Sequence, residues 1–146
     1  MNATDILQHN RVILCHFDSY SAALNFARYG DSVLAPAPLS AESSAIEAPD
    51  SDSEQHEPGR VVGALAEKYR LDPNDLQINK GFEAWLSGEA GPVRVHLVQF
   101  KTFEAPHESI EPLGGVFKPI SMMRGMPVTE LNLMRQVFNL MVGGGQ

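Results

Sequence analysis

The chain carries a single cysteine, Cys15, in 146 residues. One thiol excludes an intramolecular disulfide framework and any multi-cysteine zinc or iron–sulfur site within one chain. It also fits a reducing compartment, so the expected location is the cytoplasm. No apolar run approaches the ~18–20 residues that a spanning helix needs, and no membrane association is expected. Met1-Asn2-Ala3-Thr4-Asp5 lacks a basic region followed by an apolar stretch, so it does not read as a secretory signal. The motifs GxxxxGK(S/T), GxGxxG and GxSxG are all missing. His9, His16, His56, His96 and His107 show neither HxH nor HExxH spacing. The expectation is therefore no cofactor, no metal and no assigned catalytic residue, and the enzyme reading leans to no.

Positive charge is also scarce. There are 11 Lys and Arg against 18 Asp and Glu, a formal net charge of −7. The deficit is local: residues 36–59 hold Glu42, Glu47, Asp50, Asp52, Glu54 and Glu57 and no Lys or Arg. The rest is nearly neutral and has no basic stripe to track a phosphate backbone, which argues against nucleic acid as a partner.

What is present reads as an ordinary globular chain, with 43% hydrophobic and 20% charged residues. The length suits one domain. Three parts are distinguishable: an N-terminal strand–helix–strand unit over 1–35, a disordered acidic linker or insert over 36–59, and a main body over 60–146. In the first part, the apolar run over 10–17 predicts a buried strand. Asp18 or Ser19 then predicts the cap of a helix through Tyr29, closed by Gly30 and followed by a strand over 32–35. Residues 36–59 have only Leu39 and Ile46 as large aliphatics, too few to offset the entropy of ordering them.

In the body, Val61, Val62, Leu65, Ala66 and Tyr69 share one helical face over 60–70. Asp72-Pro73-Asn74-Asp75 predicts a turn, and 76–78 a strand. Two β runs over 82–103, with a loop of about five residues near Glu89, predict a hairpin. A short strand follows over 116–120. The last helix, 129–142, carries two apolar rows, Leu131/Met134/Phe138/Met141 and Leu133/Val137/Leu140, with Thr129 as N-cap and Gly143-Gly144-Gly145 as its end. The fold class is thus α+β: a small sheet centred on the antiparallel hairpin, covered on one face by helices 60–70 and 129–142. The N-terminal unit adds to that sheet or docks beside it.

The hairpin register gives the sharpest local reading. It pairs Leu86 with Val93, Ala84 with Val95 and Phe82 with Leu97 on an apolar face. The other face pairs Trp85 with Arg94 and Glu83 with His96. A tryptophan and an arginine in cation–π contact, beside an imidazolium held up by a carboxylate, would make a ligand or partner surface. Successive apolar residues Leu97 and Val98 imply a bulge or cover on both faces. A second surface is the basic, methionine-rich turn with Lys118, Met122, Met123 and Arg124. In Cys15-His16-x-Asp18, adjacent strand residues point apart, so Cys15 reads as a small buried hydrophobe. His107 and Glu108 lie in a loop with no nucleophile nominated beside them.

Three functions follow in order. The leading one is a non-catalytic interaction protein, an accessory or assembly subunit or regulator of a larger complex, with a protein partner. It self-associates through the last helix or a hairpin edge. The alternative is a domain or minor enzyme that binds an anionic small molecule on the Trp85/Arg94/His96 face. The second alternative rests on residues 65–76, whose rhythm is that of the first helix and turn of a helix-turn-helix nucleic-acid binder.

Overall fold

A computed structural model describes residues 3–18, 20–40, 42–49, 56–89 and 91–143. The elements run α1 (Ala3–Gln8), β1 (Asn10–Asp18), β2 (Ala23–Tyr29), β3 (Leu34–Ala35), β4 (Ala45–Ile46), α2 (Pro58–Tyr69), β5 (Leu76–Ile78), β6 (Ala84–Gly88), β7 (Gly91–Phe100), α3 (His107–Ile110), β8 (Gly115–Pro119) and α4 (Val128–Phe138). The class is α+β, built on one mixed sheet of eight strands in the order β4-β6-β7-β1-β2-β8. β3 pairs with β1 and β5 pairs with β7 off that path.

The two longest apolar runs of the sequence become the central strands. β1 and β7 lie side by side and parallel, from Asn10 opposite Arg94 to Cys15 opposite Gln99. Parallel strands at a sheet centre are covered on both faces and therefore read as unbroken apolar runs. Val12, Leu14, Val98 and Phe100 point to a core with Ile6 and Leu7 of α1, Val61 and Leu65 of α2, and Ile110 of α3. Ile13, Cys15, Val95 and Leu97 point the other way, to Leu133, Met134 and Val137 of α4. Helices 60–70 and 129–142 thus cover opposite faces, not the same one as the sequence reading expected. The physical reason is the successive apolar pair Leu97 and Val98: each face of β7 needs its own cover. Of the two readings of that pair, cover on both faces holds, and the ladder runs through it without a bulge.

The N-terminal unit joins the sheet, with β1 between β7 and β2. The helix expected after Asp18 is instead β2, antiparallel to β1 with Phe17 opposite Leu24. Asp18 does cap, but it caps a turn: its Oδ1 accepts from the N–H of Tyr20 at 2.9 Å and of Ser21 at 3.4 Å. Ala22 at φ 57° then reverses the chain. Leu24 and Phe26 alternate onto the α4 side, a period of two that the helical reading passed over.

Elsewhere the expected elements are present with altered bounds. The expected hairpin register holds where the ladder forms, with Ala84 opposite Val95, Trp85 opposite Arg94 and Leu86 opposite Val93. The expected Phe82–Leu97 pair does not form, because β6 begins at Ala84 and the Asn79 N–H takes the Leu97 carbonyl. Pairing continues to Gly88 opposite Gly91, so the loop is shorter than five residues. The strand expected over 32–35 is confined to Leu34–Ala35. Within the acidic segment, Ala45 and Ile46 form β4 opposite Leu86 and Trp85. Ser43 and Ser44 pin it there: Ser43 Oγ donates to the Ser87 carbonyl at 2.6 Å, and the Ser44 N–H donates to Ser87 Oγ at 3.0 Å. The expected disorder over 50–55 lies outside the described residues. At α4 the cap position is Pro127, not Thr129; the Thr129 hydroxyl donates to the Ser43 carbonyl at 3.3 Å. The helix widens to π geometry over Asn139–Gly143, and Gly144 and Gly145 lie outside the described residues. Among the described residues no helix is long and apolar enough to cross a membrane.

Candidate functional site

The polar centre of the molecule is built where β1 starts. Asn10 is fully buried on the α2 side of the sheet. Its Nδ2 donates to the Ile6 carbonyl at 2.8 Å, which fixes the amide so that Oδ1 faces the histidines. Oδ1 accepts from His96 Nε2 at 2.9 Å and from His56 Nδ1 at 3.3 Å. His96 is held by a neutral amide rather than by a carboxylate. Burial, then the charge of Arg94, then His56 push its pKa down to about 3. Its ring is therefore neutral at ordinary pH, with the Nε2–H tautomer set by Asn10.

Arg94 links this network to Trp85. Its Nη1 donates to the His56 carbonyl at 3.1 Å. Its guanidinium carbon lies 5.9 Å from the Trp85 ring centroid, the expected cation–π pair. The His56 ring meets Trp85 edge-on at 4.8 Å. Trp85 Nε1 donates to Glu83 Oε2 at 2.7 Å.

All four residues of the first expected surface are thus near one another, but they are not an open face. Trp85 is 4% exposed and His96 3% exposed. Glu83 is exposed and Arg94 half-buried. The expected Glu83–His96 pair is replaced by Glu83–Trp85, and the expected rise in the His96 pKa is a fall. The cause is cover: His56 and α2 close over a face that the hairpin alone would leave wet. A cleft of about 490 Å³ remains beside it, lined by Glu57, Lys80, Phe82, Arg94 and His96 among others.

The second expected surface divides. Met122 is 53% exposed, and Arg124 is exposed, while Met123 is 1% exposed and belongs to the core under α4. Lys118 is half-buried in β8. The Met122 carbonyl accepts from Arg28 Nη1 at 3.3 Å. Further along the chain, exposed apolar residues recur on α4 and its π turn: Val128 (70%), Phe138 (37%) and Val142 (38%). Leu131 and Arg135 stand between them at the same helical angle, beside the face that buries Leu133, Met134 and Val137.

The remaining candidates do not converge. Cys15 is buried, with its thiol pushed up to about 12 by desolvation and its Sγ 3.9 Å from Met141 Sδ. His16 faces the opposite side, its Nε2 at 2.9 Å from the Thr102 carbonyl. Among the described residues no group of three or more His, Cys, Asp or Glu could hold a metal ion. His107 and Glu108 are exposed, the His107 ring edge-on to Phe117 at 5.3 Å. Residues 76–78 form β5 rather than a second helix of a helix-turn-helix.

Sequence reasoning missed Asn10 and His56, whose partners lie far away along the chain. It also missed the role of Glu130. That residue is buried on α4, its Oε2 accepting from Ser32 Oγ at 3.0 Å and its Oε1 from the Val33 N–H at 2.8 Å. Burial raises its pKa against the lowering effect of both bonds. A lone Glu in a first helical turn signals only a dipole partner. No protein-family model matches the chain, and no curated protein shows significant similarity to it.

Proposed function

We propose that this chain is a non-catalytic interaction protein, an accessory subunit or regulator that docks another protein along the 122–142 edge. The carrying observation is where exposed apolar side chains fall. Of eight large ones among the described residues, four belong to this single stretch: Met122, Val128, Phe138 and Val142. Three of them, Val128, Phe138 and Val142, follow one another along α4 and its π turn, and such a run marks an association surface better than isolated residues do. Arg124 precedes α4 and Arg135 lies within that run, both exposed, so the complementary partner is apolar with acidic groups opposite these two cations.

The hairpin edge gives this reading less support, because β4 already pairs with β6. The acidic segment remains a second contact in the proposal, directed at a basic part of the partner. Its test needs charge changes rather than removal. Deleting 38–58 would also take away β4, His56 and the Glu57 cap of α2.

The experiment is a tagged purification from native cells with the wild type, Val128→Asp and Phe138→Asp in parallel. The expected result is a stoichiometric protein that co-elutes with the wild type and is lost from both variants, whose melting temperatures are unchanged. Retention of the same protein by both variants would refute the docking edge. A dimeric mass by light scattering that both variants convert to a monomer would make the partner a second copy.

A further inference from the structure

We propose that the cleft between α2 and β7 binds a small organic anion, a phosphate or carboxylate on a compact apolar body, held between Lys80 and Arg94. The cleft measures about 490 Å³, within the range of small-molecule sites. Its wall combines two cations with apolar surface from Ile78 and Phe82. Arg94 is partly engaged, by the His56 carbonyl and the Trp85 ring, and Lys80 lies near the Glu57 carboxylate without pairing with it. Among the described residues the one ion pair is Arg28–Asp31, so neither Lys80 nor Arg94 pairs with a described carboxylate. Arg94 spends Nη1 on the His56 carbonyl, while its Nε is buried with no hydrogen-bond partner. A buried guanidinium N–H without an acceptor is costly. It is closed to solvent, so an anion in the cleft would meet the accessible part of the half-buried Arg94 side chain.

Among the described residues the one acid in the cleft wall is Glu57, and it is engaged at the start of α2. Its carboxylate caps α2, accepting from the N–H groups of Gly59 at 3.0 Å and Arg60 at 2.9 Å. Those bonds and the nearby charges of Arg60 and Lys80 hold its carboxyl below the usual range. The helix terminus is thus already filled by the chain itself, and the site for a foreign anion is the Lys80–Arg94 side. This inference is independent of the docking edge, which lies along 122–142.

The chain's only tryptophan reports on the site, since Trp85 sits 5.9 Å from the Arg94 guanidinium carbon. The full chain is titrated with phenyl phosphate, benzoate and neutral phenol, followed by Trp85 emission and by isothermal calorimetry. Saturable binding of at least one anion, with none of phenol, is expected. The phosphate and carboxylate arms separate the two anion classes. Lys80→Gln, a change at an exposed turn residue that leaves the core intact, is expected to weaken binding about five-fold, the effect of one solvent-screened charge pair. Arg94→Lys retains the charge but not the fork, and should weaken a bidentate anion further than Lys80→Gln does. Absence of saturable binding of either anion by both methods would overturn the proposal. Equal binding of phenol, or an unchanged affinity in Lys80→Gln, would do the same.

Discussion

Acid should unfold this protein through His96, and the size of the effect can be worked out. The ring is 3% exposed, faces the charge of Arg94 and the imidazole of His56, and donates to Asn10. Its folded pKa is about 3, against 6.5 for the free side chain. A histidine whose folded pKa is depressed binds its proton more readily when unfolded. Its contribution is therefore complete above about pH 6.5 and is lost as the pH falls toward 3. Between pH 7 and pH 4 the linkage relation gives a loss of about 3 kcal/mol from this one group. The comparison is with His96→Gln, which places a non-titrating donor near Asn10 Oδ1. Urea unfolding of both proteins at the two pH values, followed by Trp85 emission, isolates the term. Groups remote from His96, Glu130 among them, shift both proteins alike and cancel in the double difference, while the coupling of His96 to His56 stays within the measured difference. The wild type should lose about 3 kcal/mol more than the variant on acidification. Equal losses would show that His96 is not a buried neutral ring and would refute the Asn10-centred network.

Glu130→Ala should cost about 2–4 kcal/mol, because Ser32 Oγ and the Val33 N–H lose their buried acceptor; Glu130→Gln should retain most of the stability, and thermal melts of the two variants decide. Since burial raises the Glu130 pKa, its ionisation should lower stability as the pH rises past its folded value, a slope that Glu130→Gln removes. Cys15 should resist a thiol reagent in the folded protein and react only at the rate of unfolding, since it is buried and its pKa lies near 12; rapid labelling under native conditions would contradict its placement. Gly115→Ala should destabilise by roughly 1–3 kcal/mol, because the new methyl would lie 2.6 Å from Tyr29 Cε1; an unchanged melting temperature would place Tyr29 elsewhere.

The legible parts of the fold were those whose signal is local. The apolar run over 10–17, the one-sided row Val61/Val62/Leu65/Ala66 and the alternation around Trp85 each identify an element without knowledge of its neighbours. The hairpin register was legible to the residue because cross-strand parity leaves only one apolar face. Long-range pairing was not. Nothing in residues 91–100 announces that β1, some eighty positions earlier, lies parallel beside them, although the Leu97-Val98 pair carried the clue of a strand covered twice. β2 was misread because Asp18 caps turns and helices by the same hydrogen bonds, and the pairs Leu24/Arg28 and Ala22/Phe26, each four residues apart, fit one helical turn as well as alternation.

The candidate site shows the same division and bears on how the two functional proposals relate. Glu83, Trp85, Arg94 and His96 could be grouped from the hairpin alone, yet whether they face water depends on Asn10 and His56, which arrive from elsewhere in the chain. Once those arrive, the histidine is neutral and the tryptophan is covered. Only the two cations at the cleft mouth keep unspent hydrogen-bonding and charge capacity. The proposed docking edge lies on the other side of the sheet, and its apolar residues are left over after α4 has buried Leu133, Met134 and Val137. A ligand in the cleft would press on β7, whose Val95 and Leu97 form the floor on which α4 packs. If both proposals hold and each occupant changes the other's affinity, β7 is the element that joins their sites. Thermodynamic reciprocity then requires the anion to change partner affinity by the same factor as the partner changes anion affinity, and unequal factors would show that the two measurements do not report on one linked pair of sites.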